Sequence, residues 1–228
     1  MKALLLSGGG DYIDSWHPFA QTSAAAAAVL QGAGFDVEIR DDVERAVAVP
    51  DAAVRLLVVN FGNGGIPAPQ DDRVLDGVTR VLHAGAGLLG LHTASTLFPR
   101  SPAWPALLGG RWVRGTSMHP QQARFRVHVA DAPLTAGLND FDTIDEAYSL
   151  LAVEPASTVV ARHDEHGVGQ PLWWHGEHRG IRFAYDALGH DAVAYEAEPQ
   201  QRFVAHAALW AASSTRADAR QHPRSETE

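Results

Sequence analysis

The first 110 residues alternate between short apolar runs and longer stretches with helical spacing, and this order limits the possible folds more than any other feature. Apolar or alternating runs at 3–7, 35–39, 55–60 and 87–91 predict strands, and residues 19–30 and 71–83 predict helices between them. Repeated strand–helix units form parallel sheets through right-handed crossovers, and ligands bind beyond the carboxyl ends of their strands. We therefore expect an α/β fold with a doubly wound, mostly parallel sheet flanked by helices.

The second half of the chain is richer in strands and predicts antiparallel additions to that sheet. Runs at 124–129, 157–161, 171–174 and 180–185 predict strands, and the last two pair around a polar turn. Residues 201–212 have the spacing of a final amphipathic helix. We expect one domain over residues 1–212, followed by a polar, mobile tail at 213–228.

Composition excludes several classes of function. The chain has 27 acidic and 18 basic residues, a formal net charge of −9 and no basic cluster, which argues against a nucleic-acid partner. It has no cysteine, so disulfides, thiolate metal sites and thiol nucleophiles are excluded. No apolar run approaches the roughly 20 residues needed to cross a bilayer, so we expect a cytoplasmic protein without a membrane partner. Assembly into a homo-oligomer stays open.

His92 follows the apolar strand at 87–91, where the chain is expected to turn sharply into a helix and lift one side chain above the sheet. Many α/β hydrolytic and amide-transfer enzymes carry a Ser or Cys nucleophile at this position. Imidazole can ligate a metal or move protons near neutral pH, but it is a poorer lasting covalent nucleophile. An amide hydrolase using Thr93 or Ser95 is a minor alternative, because Ser95 falls inside the following helix.

Several motifs follow one another in a fixed order along the chain. They are Gly90-Leu91-His92, Leu108-Gly109-Gly110-Arg111-Trp112 followed by His119, Asp145-Glu146-Ala147-Tyr148, Leu188-Gly189-His190-Asp191, and a last helix with Trp210. This ordered set resembles the ThuA-like, trehalose-utilisation family over roughly residues 1–212. The resemblance implies a class I glutamine amidotransferase-like fold and a link to sugar oxidoreductases that act on 3-keto-disaccharides and related keto-glycosides. The amidotransferases have a Cys at the elbow, whereas this chain has His92, so thiol-dependent glutamine hydrolysis is excluded.

The motif residues supply the catalytic candidates. We expect His92 and His190 to act as base and acid, with Glu146 orienting one imidazole or accepting a hydroxyl. The resemblance adds His119 as a further catalytic candidate. Adjacent residues of an extended segment point to opposite sides, so only one of Asp145 and Glu146 is expected to face the crevice. The resemblance and Tyr148 two residues later favour Glu146, and Asp145 is expected to cap or hold the neighbouring loop.

Four further residues are assigned to substrate binding: His17, Tyr148, Asp191 and Trp112. His17 lies in the loop after the first strand, beside the other strand ends, and Tyr148 shares a face with Glu146. Of Trp104, Trp112, Trp173 and Trp174, at most one is expected to line the site, because large aromatic side chains are more often buried in the core.

The candidate ligands for a divalent metal, Zn²⁺ or a similar ion, are His92, His119, His190 and Glu146. No short-range metal motif is present, so such a site would have to be assembled from distant segments. A metal-free version uses the same crevice, with His92 and His190 as base and acid. Gly8-Gly9-Gly10 lacks the full nucleotide-binding pattern, and no nucleotide cofactor is expected.

Two functions from different classes follow. The first is a carbohydrate-processing enzyme, a lyase, hydrolase or isomerase, acting on a keto-glycoside or keto-disaccharide by His/Glu acid–base chemistry. Its partner is a small-molecule sugar substrate. The reaction either uses a bound divalent metal or proceeds without one. The second is a non-catalytic sugar-binding or partner module that kept the fold and lost the thiol chemistry.

Overall fold

The computed structural model describes residues 1–213 and is built from eleven strands and five α-helices within them. The strands are β1 (Lys2–Ser7), β2 (Asp36–Arg40), β3 (Val54–Asn60), β4 (Gly87–Leu91), β5 (Gly110–Arg111), β6 (Ala123–Val129), β7 (Phe141–Asp145), β8 (Ala152–Val153), β9 (Thr158–Glu165), β10 (Val168–His178) and β11 (Ile181–Asp186). The helices are α1 (Phe19–Gly32), α2 (Val43–Ala46), α3 (Asp71–His83), α4 (Ala103–Leu108) and α5 (Glu198–Ala212).

Nine strands form one mixed sheet in the order β2-β1-β3-β4-β11-β10-β9-β6-β7, and β5 pairs with β8 in a separate two-stranded sheet. The first five strands in that order are parallel. Strands β3 and β4 are apolar and almost wholly buried, as expected for interior strands covered on both faces. The predicted strand–helix units of the first half are confirmed.

The remaining four strands are antiparallel to their neighbours, which confirms the predicted additions. The paired runs around a polar turn are β10 and β11, and β11 inserts beside β4 in the parallel part of the sheet. Four neighbouring pairs are parallel and four are antiparallel, so the sheet is mixed rather than mostly parallel.

Helices cover the parallel part of the sheet. Helix α1 packs against α5, and α2 packs against α3. Right-handed crossovers place α1 and α3 on opposite faces, because β2 and β4 lie on opposite sides of the β1–β3 pair. Gly87 allows α5 to approach β4 closely, since a Cβ there would lie 2.1 Å from the carbonyl oxygen of Ala211.

The predicted mobile tail at 213–228 lies, beyond Ser213, outside the described residues. Within residues 1–213, none of the helices combines the length and the apolar character that a membrane crossing requires.

A buried aspartate fastens the last helix to the centre of the sheet. The Asp186 carboxylate, at the end of β11, accepts hydrogen bonds from the indole of Trp173 (2.8 Å), the backbone N–H of Leu188 (2.9 Å) and the amide of Gln200 (2.5 Å). Burial raises the pKa of Asp186 to about 8, although these donors favour the ionised form. One side chain therefore joins β10, β11 and α5 inside the core.

Replacing this aspartate tests how much that junction stabilises the fold. The Asp186→Ala substitution leaves buried N–H donors without acceptors, so we expect the free energy of unfolding to fall by about 3 kcal/mol. For a chain of this size the melting temperature should drop by roughly 6–12 °C in scanning calorimetry. The control is Asp76→Ala on the exposed face of α3, expected to shift it by less than about 2 °C. Equal shifts in the two variants would contradict the proposed anchoring role.

Candidate active site

The chain turns sharply at His92, directly after β4, and continues as the 3₁₀ helix His92–Thr96. His92 has a φ of 42°, a left-handed conformation that is uncommon for any residue other than glycine. Two hydrogen bonds hold the turn: Tyr185 donates its hydroxyl to the His92 carbonyl (2.6 Å), and the His92 ring Nδ1 donates to the Ala187 carbonyl (2.7 Å). Such a strained residue persists only where its surroundings fix it.

The same contacts set the chemistry of the His92 ring. A carbonyl can only accept, so Nδ1 carries the proton and Nε2 keeps its lone pair. Tyr148 donates its hydroxyl to that Nε2 atom at 3.0 Å. Burial lowers the pKa of His92 to about 4, against the opposing effect of Glu146, so the ring is neutral near pH 7.

His17 reaches the same place from the loop before α1. The Asp14 carboxylate lies 2.8 and 2.9 Å from His17 Nδ1 and also accepts the backbone N–H groups of Trp16 and His17. Burial alone would raise the pKa of Asp14, but His17 and these donors lower it. The His17 Nε2 atom is buried and has no hydrogen-bond partner within residues 1–213. Its ring centre lies 5.1 Å from that of His92 and 5.0 Å from that of His190.

Asp145, at the end of β7, brings the remaining two site residues together. Its buried carboxylate accepts the backbone N–H groups of Glu146 (2.7 Å), Gly189 (2.7 Å) and His190 (3.2 Å). Burial raises the pKa of Asp145 to about 7, although these donors favour the carboxylate. Asp145 therefore holds the loop that carries His190, while the Glu146 side chain faces the cavity.

Glu146 lies among three imidazoles. Its Oε2 atom is 3.3 Å from His190 Nδ1 and 3.4 Å from His92 Nε2, and its Oε1 atom is 3.4 Å from His119 Nδ1. Burial would raise the pKa of Glu146, but the facing His190 and His92 rings outweigh it and hold the pKa well below its ordinary value. Glu146 in turn raises the pKa of His190. The carboxylate is thus ionised, with negative charge at the centre of the cluster.

Three polar atoms of this cluster are buried and make no hydrogen bond of regular geometry among the described residues: His17 Nε2, Glu146 Oε2 and His190 Nδ1. The last two face each other at 3.3 Å as an ion pair. His17, His92, Glu146 and His190 each offer one ligand atom, and these atoms lie within 4.8 Å of one another. Buried polar groups are normally paired, and each unpaired one costs about 1–3 kcal/mol. Three imidazoles and one carboxylate suit Zn²⁺ or another first-row divalent metal.

A cavity of about 420 Å³ opens above this cluster. Six predicted site residues line it: His17, Trp112, His119, Glu146, Tyr148 and His190. The sequence analysis placed His119 among the candidate metal ligands; in the structure it is His17 whose ligand atom lies within 4.8 Å of those of His92, Glu146 and His190. The His119 ring Nδ1 instead faces the Pro120 carbonyl at 2.9 Å, and its side chain is 35% exposed.

Asp191 lies outside the residues that line the cavity. Its carboxylate accepts the backbone N–H of Val193 (2.8 Å) at the start of a 3₁₀ helix and the amide of Gln122 (2.9 Å). Gln122 does line the cavity, so Asp191 holds a wall residue rather than facing a ligand itself.

Other candidates are placed in the core. Trp104, Trp173 and Trp174 are fully buried, which leaves Trp112 as the cavity residue among the four tryptophans considered. Ser95 is buried, and its hydroxyl lies 2.9 Å from that of Tyr185 and donates to the His92 carbonyl. This arrangement does not favour Ser95 as an exposed nucleophile.

Sequence reasoning assigned no site role to several residues that line the cavity, among them Asp14 and Trp16. Asp14 precedes His17 by three residues, a spacing at which an aspartate can accept from the backbone and the ring of the same loop. Trp16 adjoins His17 in the sequence. A tryptophan in a polar or glycine-rich loop has few apolar neighbours against which to be buried. Both signals were present, although neither is specific.

Comparison with known proteins gives one family match. The sequence model of the ThuA family, described as trehalose utilisation, matches residues 3–211. A search of curated proteins found no match.

Solved structures share the fold at low sequence identity. A protein described as ThuA-like from Parabacteroides merdae is 18% identical, with a TM-score of 0.74 over 93% of this chain and 90% of that chain. A cytoplasmic protein from Salmonella typhimurium LT2 is 13% identical, with a TM-score of 0.65 over 92% and 99%. A protein from Thermoplasma acidophilum, described as part of a GMP synthase, is 16% identical, with a TM-score of 0.54 over 92% and 95%.

The Asp145 contacts predict that a substitution at this residue weakens the backbone hydrogen bonds that hold the site together. The Asp145→Asn substitution replaces one acceptor oxygen by an NH₂ group facing a backbone N–H, so we expect a loss of about 1–3 kcal/mol in the free energy of unfolding. Urea denaturation measures it. Asp142→Asn, on the exposed side of the same strand, is the matched control and should change stability by less than about 0.5 kcal/mol. Indistinguishable curves for Asp145→Asn and the wild type would contradict this role.

Proposed function

This chain belongs to the ThuA family, described as trehalose utilisation, and on that premise we propose that it is a metal-assisted enzyme that cleaves a keto-glycoside or keto-disaccharide by acid–base chemistry. The observation that carries the proposal is a group of buried ligand atoms from His17, Glu146 and His190 that lie close together beside His92. They make no hydrogen bond of regular geometry with the residues that the structure describes. Such an arrangement is costly unless a further group completes it.

The four residues of the cluster suit a divalent metal, and so do the groups that hydrogen-bond to the other ring nitrogens of His17 and His92. Metal-binding histidines usually donate their other ring N–H to a carboxylate or a carbonyl. His17 has Asp14 at Nδ1, and His92 has the Ala187 carbonyl at Nδ1, so both Nε2 atoms keep a lone pair for a ligand role. The Nε2 atom of His92 accepts the Tyr148 hydroxyl and would exchange this contact for the metal. A bound divalent ion would supply Lewis acidity, polarising the keto oxygen of a sugar.

With these four residues assigned to a metal, proton transfer is assigned to two other side chains of the cavity, those of His119 and Tyr148. His119 donates its Nδ1 proton to the Pro120 carbonyl, which leaves the lone pair on Nε2. We propose His119 as the base. The keto group acidifies the neighbouring C–H, and His119 Nε2 is suited to remove that proton.

Tyr148 is the proposed acid. Burial raises the pKa of Tyr148 well above its ordinary value, so the hydroxyl keeps its proton near pH 7. It lies 3.0 Å from His92 Nε2 and has the imidazoles of His92 and His119 stacked beside its ring. When His92 Nε2 serves as a ligand, the Tyr148 proton can pass to the glycosidic oxygen as it leaves.

The proposed reaction is an elimination followed by hydration. The base takes the proton next to the keto group, the C–H electron pair becomes a C=C bond, and the glycosidic C–O bond breaks. The departing oxygen takes one proton and leaves as an alcohol. A water molecule then adds across the C=C bond, so the net change is hydrolysis of the glycoside.

The proposal also covers the fold family, the cellular location and the partner of the chain. We propose that the fold is that of class I glutamine amidotransferases, supported by the likeness to the Thermoplasma acidophilum structure. A cytoplasmic location takes its support from the Salmonella typhimurium protein described as cytoplasmic. A small sugar is the proposed partner, and self-association of the chain is tested by the solution experiments below.

Metal content distinguishes the ligands from the proton-transfer residues. Untagged protein purified without chelator should contain about one divalent metal per chain by elemental analysis. His17→Ala and His92→Ala should lose it, whereas His119→Ala should retain it, because His119 is not among the four ligands. Metal-free wild-type protein, even after incubation with Zn²⁺ and dialysis, would overturn the metal-assisted proposal.

Proton exchange separates the proposed base from the proposed acid. Incubation of a 3-keto-glycoside with enzyme in D₂O should exchange the C–H proton beside the keto group, followed by NMR. His119→Ala should slow both exchange and cleavage by about 100-fold or more. Tyr148→Phe should slow cleavage by a similar factor while exchange continues.

The rival function, a sugar-binding module without catalysis, gives a different outcome in the same experiment. The wild-type protein would then bind the sugar but produce neither exchange nor cleavage. Exchange that is equally fast in the wild type and His119→Ala would remove His119 from the mechanism.

A further inference from the structure

We infer that a groove beside the active-site cavity is an outer subsite, which binds the sugar ring on the far side of the bond to be cleaved. The inference rests on the proposed function for the identity of the reacting sugar. It adds a substrate class: glycosides of two rings in preference to glycosides with a small leaving group.

The groove and the cavity share a wall. The groove has a volume of about 450 Å³, and both it and the 420 Å³ cavity are lined by Asp14 and Trp16. Ile13, Asn63, Ile66 and Pro67 also line the groove. A ligand with one ring in the cavity therefore meets this groove on passing Trp16.

The groove is lined by apolar side chains that are exposed rather than packed in the core. Trp16 is 73% exposed, Ile13 is 62% exposed and Ile66 is 59% exposed. Single exposed apolar residues are common, but a group of three beside a cavity indicates a binding surface. The flat indole of Trp16 suits the C–H face of a pyranose ring, and the two isoleucines extend that apolar surface.

A polar side chain of the groove favours a sugar over a purely apolar ligand. Asn63 lines the groove and is half-buried. Its side-chain amide can exchange hydrogen bonds with a hydroxyl of a ligand in the groove. A pyranose ring combines that hydroxyl with an apolar face.

The loop that carries the groove wall is fixed by the same residue that orients His17. Asp14 Oδ1 accepts the Trp16 backbone N–H at 3.0 Å, and the carboxylate also holds the His17 ring. Because Trp16 and His17 are consecutive, the outer ring and the reacting ring would be neighbours joined by a single linkage. Pre-organised contacts of this kind lower the ordering cost of binding.

Two unreactive probes test the subsite by ligand-observed NMR titration: trehalose, which has two rings, and methyl α-glucoside, which has one. The wild type should bind trehalose more tightly. Trp16→Ala should weaken trehalose binding by about tenfold and change methyl α-glucoside binding by less than about twofold. Asn63→Ala should weaken trehalose binding alone by about threefold or more. Val49→Ala, at a 79% exposed residue outside both cavities, is the matched control and should change neither.

Four outcomes would overturn the subsite. Three are equal wild-type affinity for the two probes, an equal effect of Trp16→Ala on both, and no binding of either probe. A fourth is loss of a dimer in Trp16→Ala by sedimentation velocity, since the apolar group would then contact a second copy of the chain.

A turnover assay with a 3-keto-disaccharide separates this inference from the proposed function. Cleavage by the wild type that is unaffected by Trp16→Ala, in KM and in kcat, leaves the function standing and rejects the subsite. Trp16-dependent binding of trehalose without any cleavage leaves the subsite standing and rejects the catalytic proposal.

Discussion

The candidate site depends on the buried carboxylate of Asp145. This group accepts backbone N–H donors from its own strand end and from the Gly189–His190 loop, and so joins the antiparallel part of the sheet to the end of β11. Glu146 and His190 meet because those two backbones are tied together, and they meet beside His92 because β11 pairs with β4. Without this junction, Glu146 and His190 would lose the backbone contacts that bring them together.

A second constraint is the orientation of the His17 and His92 rings, which is set by hydrogen bonds at the nitrogen that faces away from Glu146. Asp14 holds Nδ1 of His17, and a backbone carbonyl holds Nδ1 of His92. Each contact directs an Nε2 atom toward Glu146, which the neighbouring imidazoles keep ionised. Pre-oriented lone pairs around one anionic oxygen form a site for a cation, and they cost stability if they stay unpaired. The arrangement is therefore better explained by ligand binding than by packing.

The contrast between the Asp145 and Glu146 carboxyls illustrates how position sets chemistry. They are adjacent in sequence, but Asp145 is wholly enclosed and its pKa is raised, whereas Glu146 faces imidazoles and its pKa is lowered. One is a structural acceptor of backbone N–H groups, and the other is available to a metal or a substrate. Alternation along an extended chain predicted that only one of the two would face the cavity, and the resemblance together with Tyr148 favoured Glu146.

Local sequence patterns were sufficient for the strand–helix order of the first half and the turn at His92, because each depends on periodicity or on a strand end. The choice of Glu146 rested on the resemblance and on Tyr148 two residues later. Six of the assigned residues line the cavity. The folded arrangement was needed to show that His17 rather than His119 has a ligand atom close to those of His92, Glu146 and His190, that Asp191 lies outside the cavity, and that Trp16 borders it. These outcomes depend on loop positions set by hydrogen bonds between segments far apart in the chain, which periodicity and spacing do not encode.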